Sequence, residues 1–326
     1  MTRGAGISTF TAFFRRVDLT RRPYLPAIAV TLLLLILNGF LQPKTLRPVA
    51  IAADISTYLP LILLAVGQTY VILASDIDLS VGSIISLANV VTVSVMTALG
   101  GSYGAIIAGI LVGMLVGIMC GVFNGFCVAV LRFQPIVSTF ASGIIFAGIA
   151  LWILPQAGLA APNAYWETYG DNLVGIPFVL WILAAMAVTA ALIAKLVFSR
   201  SLLAVGGNIQ SAYQSGLSVP RLRISAYVLC GLFSAISALC LTGDTASGDP
   251  LLGAKMTLGS VAAVVLGGTA LSGGRGNPLG SIFGAVILGL IGSVVFFAGV
   301  PFQYQNLVQG LIVLAALAGG VTIVRR

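Results

Sequence analysis

The sequence predicts an all-α polytopic membrane protein with about ten transmembrane helices, and three observations carry that prediction. Ten long apolar stretches hold almost none of the chain's charge between them. The 326 residues are 59% hydrophobic and 7% charged, against about 25% charged in soluble domains. Continuous runs such as Ala27–Leu37 do not alternate, as the strands of a membrane barrel would. About 20 helical residues cross a ~30 Å hydrocarbon core, and a closed helix satisfies its own backbone polar groups there.

In chain order the stretches are Tyr24–Leu41, Ile55–Ala74, Val81–Leu99, Tyr103–Val130, Pro135–Leu154, Leu173–Leu196, Ile224–Leu241, Thr257–Leu271, Pro278–Ala298 and Gln303–Val324. Residues 1–23 read as a basic, polar, cytoplasmic N-terminal segment. The first apolar run has no small-residue cleavage site after it and reads as a retained helix, not a signal peptide. Residues 24–326 form a single transmembrane domain.

Charge placement sets the orientation. With the N-terminus inside, the inner side holds Arg3, Arg15, Arg16, Arg21, Arg22, Arg132, Lys195, Arg200, Arg221, Arg223, Arg275, Arg325 and Arg326. The outer side keeps Lys44, Arg47 and Lys255, a split of 13 to 3. The positive-inside rule therefore places both termini in the cytoplasm. The net charge of +8 is scattered between spans and forms no basic surface of the kind nucleic acid needs.

Two loops are long. The outer loop Pro155–Asn172 carries Tyr165, Trp166 and Tyr169, either an interfacial aromatic belt or a contact surface. In the inner loop 199–223, Gly206-Gly207-Asn208 predicts a tight turn. Asn208 then caps a short helix, Ile209–Ser215, stopped by Gly216. This helix is either a lever against a soluble partner or an interfacial connector.

The fourth span carries glycine at 109, 113, 117, 121 and 125. That is one bare helical stripe, suited to close backbone approach within the molecule or between subunits. Two four-span blocks, Val49–Leu154 and Arg221–Val324, each hold a polar, glycine-bearing hinge: Asp76–Ser83 and Leu271–Ser281. They suggest weak inverted four-helix repeats.

Asp76 and Asp78 lie near membrane depth, where acids are costly and mark functional candidates. Capping of the third helix by Asp78 or Ser80, beside Gly82, is the competing reading. Gln68, Asn89 and Asn124 are polar within apolar spans, and line a polar path or bond neighbouring helices. Cys120, Cys127, Cys230 and Cys240 all sit within spans and read as packing residues. With no histidine in the chain, no metal site, Ser-His-Asp triad or H-E-x-x-H site is predicted. The G-x-x-x-x-G-K-[ST] phosphate loop is missing throughout, so no ATP hydrolysis by that route is expected.

Three stretches, Ile77-Asp78-Leu79-Ser80-Val81-Gly82, Ala204-Val205-Gly206-Gly207-Asn208 with Ala212 and Ser215-Gly216, and Ala262–Gly276, occur in this order. In them the chain resembles the integral membrane permease subunits of ribose-type monosaccharide ABC importers, from about residue 50 onward. The resemblance implies ten helices in the bacterial inner membrane and two permease subunits, identical or paralogous, around a central path. It also implies a periplasmic sugar-binding protein and cytoplasmic ATPase subunits, with ATP bound there and no cofactor on this chain. Ala204, Val205, Gly206, Gly207, Asn208, Ala212, Ser215 and Gly216 then form the element that couples to the ATPase. Gly273, Gly274 and Arg275 form a second hinge.

The chain departs from the family's pattern twice. Asp76 stands where glycine is usual, and Lys255–Ser260 replaces an acidic pair carried by many members. The second departure bears on the substrate or on the binding protein's contact, or marks one half of a heterodimeric pair. Two rival functions remain: an ion-coupled secondary transporter using Asp76 or Asp78, and an ABC permease for nucleosides or branched-chain amino acids. A membrane-embedded enzyme lacks any catalytic constellation in the sequence.

Overall fold

The computed structural model describes residues 24–324, with side chains to residue 315. The predicted cytoplasmic segment 1–23, Arg325 and Arg326 lie outside the described residues. The chain is an all-α polytopic membrane protein. Its helices are α1 Leu25–Leu41, α2 Pro48–Leu73, α3 Val81–Ala98, α4 Tyr103–Ala129, α5 Pro135–Ile153, α6 Asn163–Gly170 and α7 Phe178–Lys195. There follow α8 Val197–Gly207, α9 Ile209–Gln214, α10 Val219–Thr245, α11 Met256–Leu266, α12 Pro278–Phe297 and α13 Phe302–Val324. Among the described residues, α2, α3, α4, α5, α7, α10 and α12 are long and apolar enough to cross a membrane.

Local chemistry explains where the helices depart from the apolar stretches. Proline in the first turn starts α2 at Pro48 and α10 at Val219, because an orphan N–H position tolerates its missing donor. Both helices therefore begin before their apolar runs do. The sixth span starts late, at Phe178, because Asn172–Leu173 and Ile176–Pro177 pair as a two-residue hairpin. Its turn, Val174-Gly175, has both φ angles positive (55° and 76°), the requirement of a tight primed turn. The eighth span stops at Leu266, since Gly267 and Gly268 close the helix and Gly268 turns left-handed at φ 89°.

Helix α2 is the centre of the bundle. From Leu59 to Leu73 every residue but Leu61 is buried, so α10, α11 and α12 surround it. The Tyr70 ring packs near Phe233 of α10, with centroids 6.3 Å apart. The Ser237 hydroxyl of α10 donates to the Pro60 carbonyl at 2.8 Å, tying the proline turn of α2 to that helix. Helix α1 lies against α12, and Asn38 reaches across to donate to the Leu290 carbonyl at 3.2 Å.

The glycine stripe of α4 packs inside the molecule, against two different helices. A Cβ at Gly109 or Gly113 would strike Met96 and Thr92 of α3. At Gly117, Gly121 and Gly125 it would strike Gly231, Tyr227 and Ile224 of α10. Close backbone approach thus binds α4 to α3 along one half and to α10 along the other.

The loop 155–172, expected on the outer side, is more ordered than the sequence predicts. Helix α6 lies on α10: the Tyr165 hydroxyl donates to the Leu239 carbonyl at 2.7 Å, and the Tyr169 ring covers Gly243. Burial raises the pKa of both phenols above the ordinary tyrosine range. Two of the three aromatics are therefore anchors within the protein and not a lipid-facing belt; Trp166 stays exposed. Leu159–Ala160 pairs with Ser247–Gly248 and ties this loop to the segment after α10.

Candidate functional site

The three stretches that carry the resemblance are far apart in sequence and lie together around one junction. Ser75, in the left-handed region at φ 67°, turns the chain out of α2. Its hydroxyl lies 2.9 Å from the Gly206 carbonyl and 2.7 Å from that of Ser272. The Gly274 N–H donates to the Leu73 carbonyl at 3.2 Å. A Cβ on Gly206 would overlap the Leu73 carbonyl and the Gly274 nitrogen, and one on Gly273 would overlap Ser75. Gly273 and Gly274 also have positive φ (76° and 69°), so both backbone conformation and space demand glycine there. The Arg275 carbonyl closes the loop by accepting from the Ala270 N–H at 3.0 Å, while the residue itself is exposed.

The predicted Gly206-Gly207-Asn208 turn is corrected by this packing. Helix α8 continues through both glycines, and the chain bends at Asn208 (φ −160°, ψ 108°). The Asn208 side chain accepts from the Ser211 N–H at 2.8 Å, capping α9. Gly216, at φ 82°, lies just past its end. Val205, Ala212 and Val219 form a small core of their own beneath α8 and α9. The loop 199–223 is thus two short helices on a hydrophobic seat, plus the first turn of α10. Asn208→Ala is expected to destabilise α9 by about 1 kcal/mol; amide exchange across Ile209–Gln214 should accelerate about fivefold while α10 stays protected.

Beside the junction lies a buried polar cluster. Arg223 of α10 grips Asp76 with two bonds, Nε to Oδ2 at 2.8 Å and Nη2 to Oδ1 at 2.6 Å. This bidentate fork is the strong form of an ion pair, and it is the one salt bridge among the described residues. Asp78 is fully buried and surrounded by donors. Its Oδ1 accepts from the Ser80 N–H at 2.8 Å and the Ser80 hydroxyl at 2.6 Å, with Asn124 Nδ2 3.4 Å from Oδ2. Asn124 also donates to Ser80 Oγ at 2.7 Å, and Thr139 accepts from the Leu79 N–H at 2.9 Å.

The capping expected of Asp78 or Ser80 is not what starts α3. Ser80 occupies the cap position without bonding the helix. The Gly82 N–H instead donates to Thr257 Oγ1 of α11 at 3.2 Å.

The remaining polar candidates are each fully buried and each engaged with a different partner. Gln68 accepts from Cys230 at 3.5 Å. Asn89 donates to Thr242 at 2.7 Å and to the Ser247 carbonyl at 3.1 Å, and accepts from the Asp249 N–H at 2.7 Å. Gln68 Nε2 and Asn124 Oδ1 have no partner. The four cysteines are free and buried, and no cluster of metal-binding side chains exists among the described residues. The sequence reading missed Ser75, Thr139 and Thr257 as junction residues and counted Arg223 only as an inner-side charge. The acid at 76 and a basic first turn on α10 were the available signal for that pair.

A helical membrane domain with an interrupted span, and with backbone packed on backbone where its helices break, is built as transporters are. The chain belongs to the ABC transport permeases: the family model "Branched-chain amino acid transport system / permease component" matches residues 50–317. Within that family it is a permease of the ribose-type sugar importers. It is 36% identical over 305 residues to the ribose import permease protein of Bacillus subtilis (strain 168), covering 90% of each chain. It is 30% identical to the L-arabinose ABC transporter permease protein of Azospirillum brasilense, over 85% of this chain and 80% of that one. It is 32% identical to the autoinducer 2 import system permease protein of Escherichia coli O157:H7, over 89% and 84%.

Proposed function

We propose that this permease translocates a monosaccharide delivered by a periplasmic binding protein, by alternating access driven by a separate ATPase subunit in the cytoplasm. The observation that carries the reading is the junction of Ser75, Gly206 and Gly274. A push on α8 and α9 reaches the ends of α2 and the 271–277 loop directly, because glycine backbone packs on backbone there and the short Ser75 hydroxyl ties the three segments together. Two states biased by partners of different affinity then suffice to move the path. Ten spans, both termini in the cytoplasm, an inner-membrane location and a second permease subunit belong to this reading, as do the two four-span blocks as inverted halves. ATP sits on the ATPase, and no cofactor is assigned to this chain.

Helix α9 offers a fitting surface for the ATPase. Ile209 and Tyr213, one turn apart, are 46% and 70% exposed beside the open face of Gly207. Gln68, Asn89 and Asn124 join the path in the state where their present bonds have opened. The ion-coupled alternative is disfavoured because Asp76 and Asp78 are already satisfied within the chain. A branched-chain amino acid is the second substrate reading, from the family's own description.

Gly207 separates docking from folding. A Cβ there meets nothing within 4 Å, so Gly207→Trp is expected to leave the fold intact and to cut transport at least tenfold. The check is uptake alongside the amount of subunit in the membrane and its co-purification with the ATPase. Normal uptake by Gly207→Trp, or recovery of the wild-type chain with no ATPase, overturns the reading.

A further inference from the structure

The charge pattern places Lys255 in an outer loop, but the packing of its segment along α3 argues for a deeper position. Helix α11 has 11 residues and so spans only about 16 Å. Its inner end is fixed where Gly267 meets Gly280 of α12, directly before the 271–277 loop at the inner junction. Its start therefore sits near the middle of a ~30 Å hydrocarbon core. The segment from Ala246 to Lys255 descends to that point along α3. The Asp249 N–H bonds Asn89, the Gly253 N–H donates to Ser86 Oγ at 3.0 Å, and Gly82 bonds Thr257. Gly253 also packs against Gly82 so closely that neither admits a Cβ.

This is irregular backbone at membrane depth, which survives only inside protein or beside a water-filled cavity. Leu251, Ala254 and Lys255 are nonetheless exposed on it. That face cannot meet lipid, and Lys255 makes the conflict sharper. An ammonium at membrane depth is costly, and Lys255 is also the N-cap residue of α11, where a cation opposes the helix dipole. No acidic side chain pairs with it among the described residues. Water and an anionic group at this position offset both costs.

We infer that Lys255 lines the translocation path at mid-membrane depth and selects a sugar bearing a carboxylate or phosphate. This deepens the importer reading and rests on it.

The test uses Ala254→Cys in the full permease with its ATPase, in membrane vesicles of both orientations. The native cysteines are all buried, and the parent chain serves as the blank. The probes are a sulfonate-bearing and a trimethylammonium-bearing methanethiosulfonate, compared as a rate ratio so that intrinsic thiol reactivity cancels. The anionic reagent should react about tenfold faster, the scale of local electrostatic focusing. Lys255→Met should bring the ratio near one, and Lys255→Arg should preserve it. D-gluconate should slow the anionic labelling, and D-glucose at matched ionic strength should not.

Labelling by a membrane-permeant maleimide but by neither charged reagent would overturn the path assignment. A ratio insensitive to Lys255→Met, or equal protection by both sugars or by neither, would overturn the anionic substrate. Loss of the ATPase on purification would instead sink the importer reading, without touching the labelling result.

Discussion

Gly206→Ala is expected to abolish transport and to lower the stability of the permease by about 3 kcal/mol, the upper range for overpacking. The added methyl has nowhere to go: the Leu73 carbonyl lies on one side and the Gly274 amide on the other. Both are backbone, so no side chain can rotate away. Relief requires α8 to back off α2, which stretches the bonds from Ser75 to Gly206 and Ser272. Thermal unfolding in detergent, read beside uptake, checks the result. The contrast with Gly207→Trp is the useful one. Adjacent glycines should give a folding defect at 206 and a docking defect at 207. Equal thermal stability of the two variants would remove the junction from the argument.

Arg223→Met should be nearly as damaging, by a different cause. It leaves the Asp76 carboxylate buried without its fork, and uncompensated buried charges cost about 3–5 kcal/mol. Asp76 is 4% exposed and Arg223 15%, so water cannot replace the lost partner freely. Asp76→Asn added to Arg223→Met should recover about half of the loss, because the amide carries no charge to strand. A double-mutant cycle on thermal stability measures this coupling. If the double variant is no more stable than Arg223→Met alone, the pair is not the source of the cost.

The fold class was legible because membrane helices write themselves in apolar length, which is local. Helix ends were read less well, because Pro48 and Val219-Pro220 start helices several residues before the apolar stretches read from the sequence, and Gly267-Gly268 stops one early. The site was half legible. The motifs at Asp76–Gly82, Ala204–Gly216 and Ala262–Gly276 stood out singly, but that Ser75 joins them is a contact across 131 and 197 residues. Periodicity carries no such information. Counting charges by loop, as for Lys255, assumes that every loop stays outside the membrane. Here the backbone between α10 and α11 runs back along α3, held by Asn89 and Ser86.

The divided allegiance of the α4 glycines also sets an order of assembly. Helix α3 is made just before α4, so Gly109 and Gly113 find their partners as soon as the two helices emerge. Gly117, Gly121 and Gly125 await α10, which is complete only at Thr245. At about 5–20 residues per second, that wait lasts roughly ten seconds. For that time a newborn permease shows the lipid a bare, adhesive groove shaped to receive a helix. Any other chain offering a similar small-residue face could occupy it first, so the hazard in making this protein is premature pairing and not failure to insert.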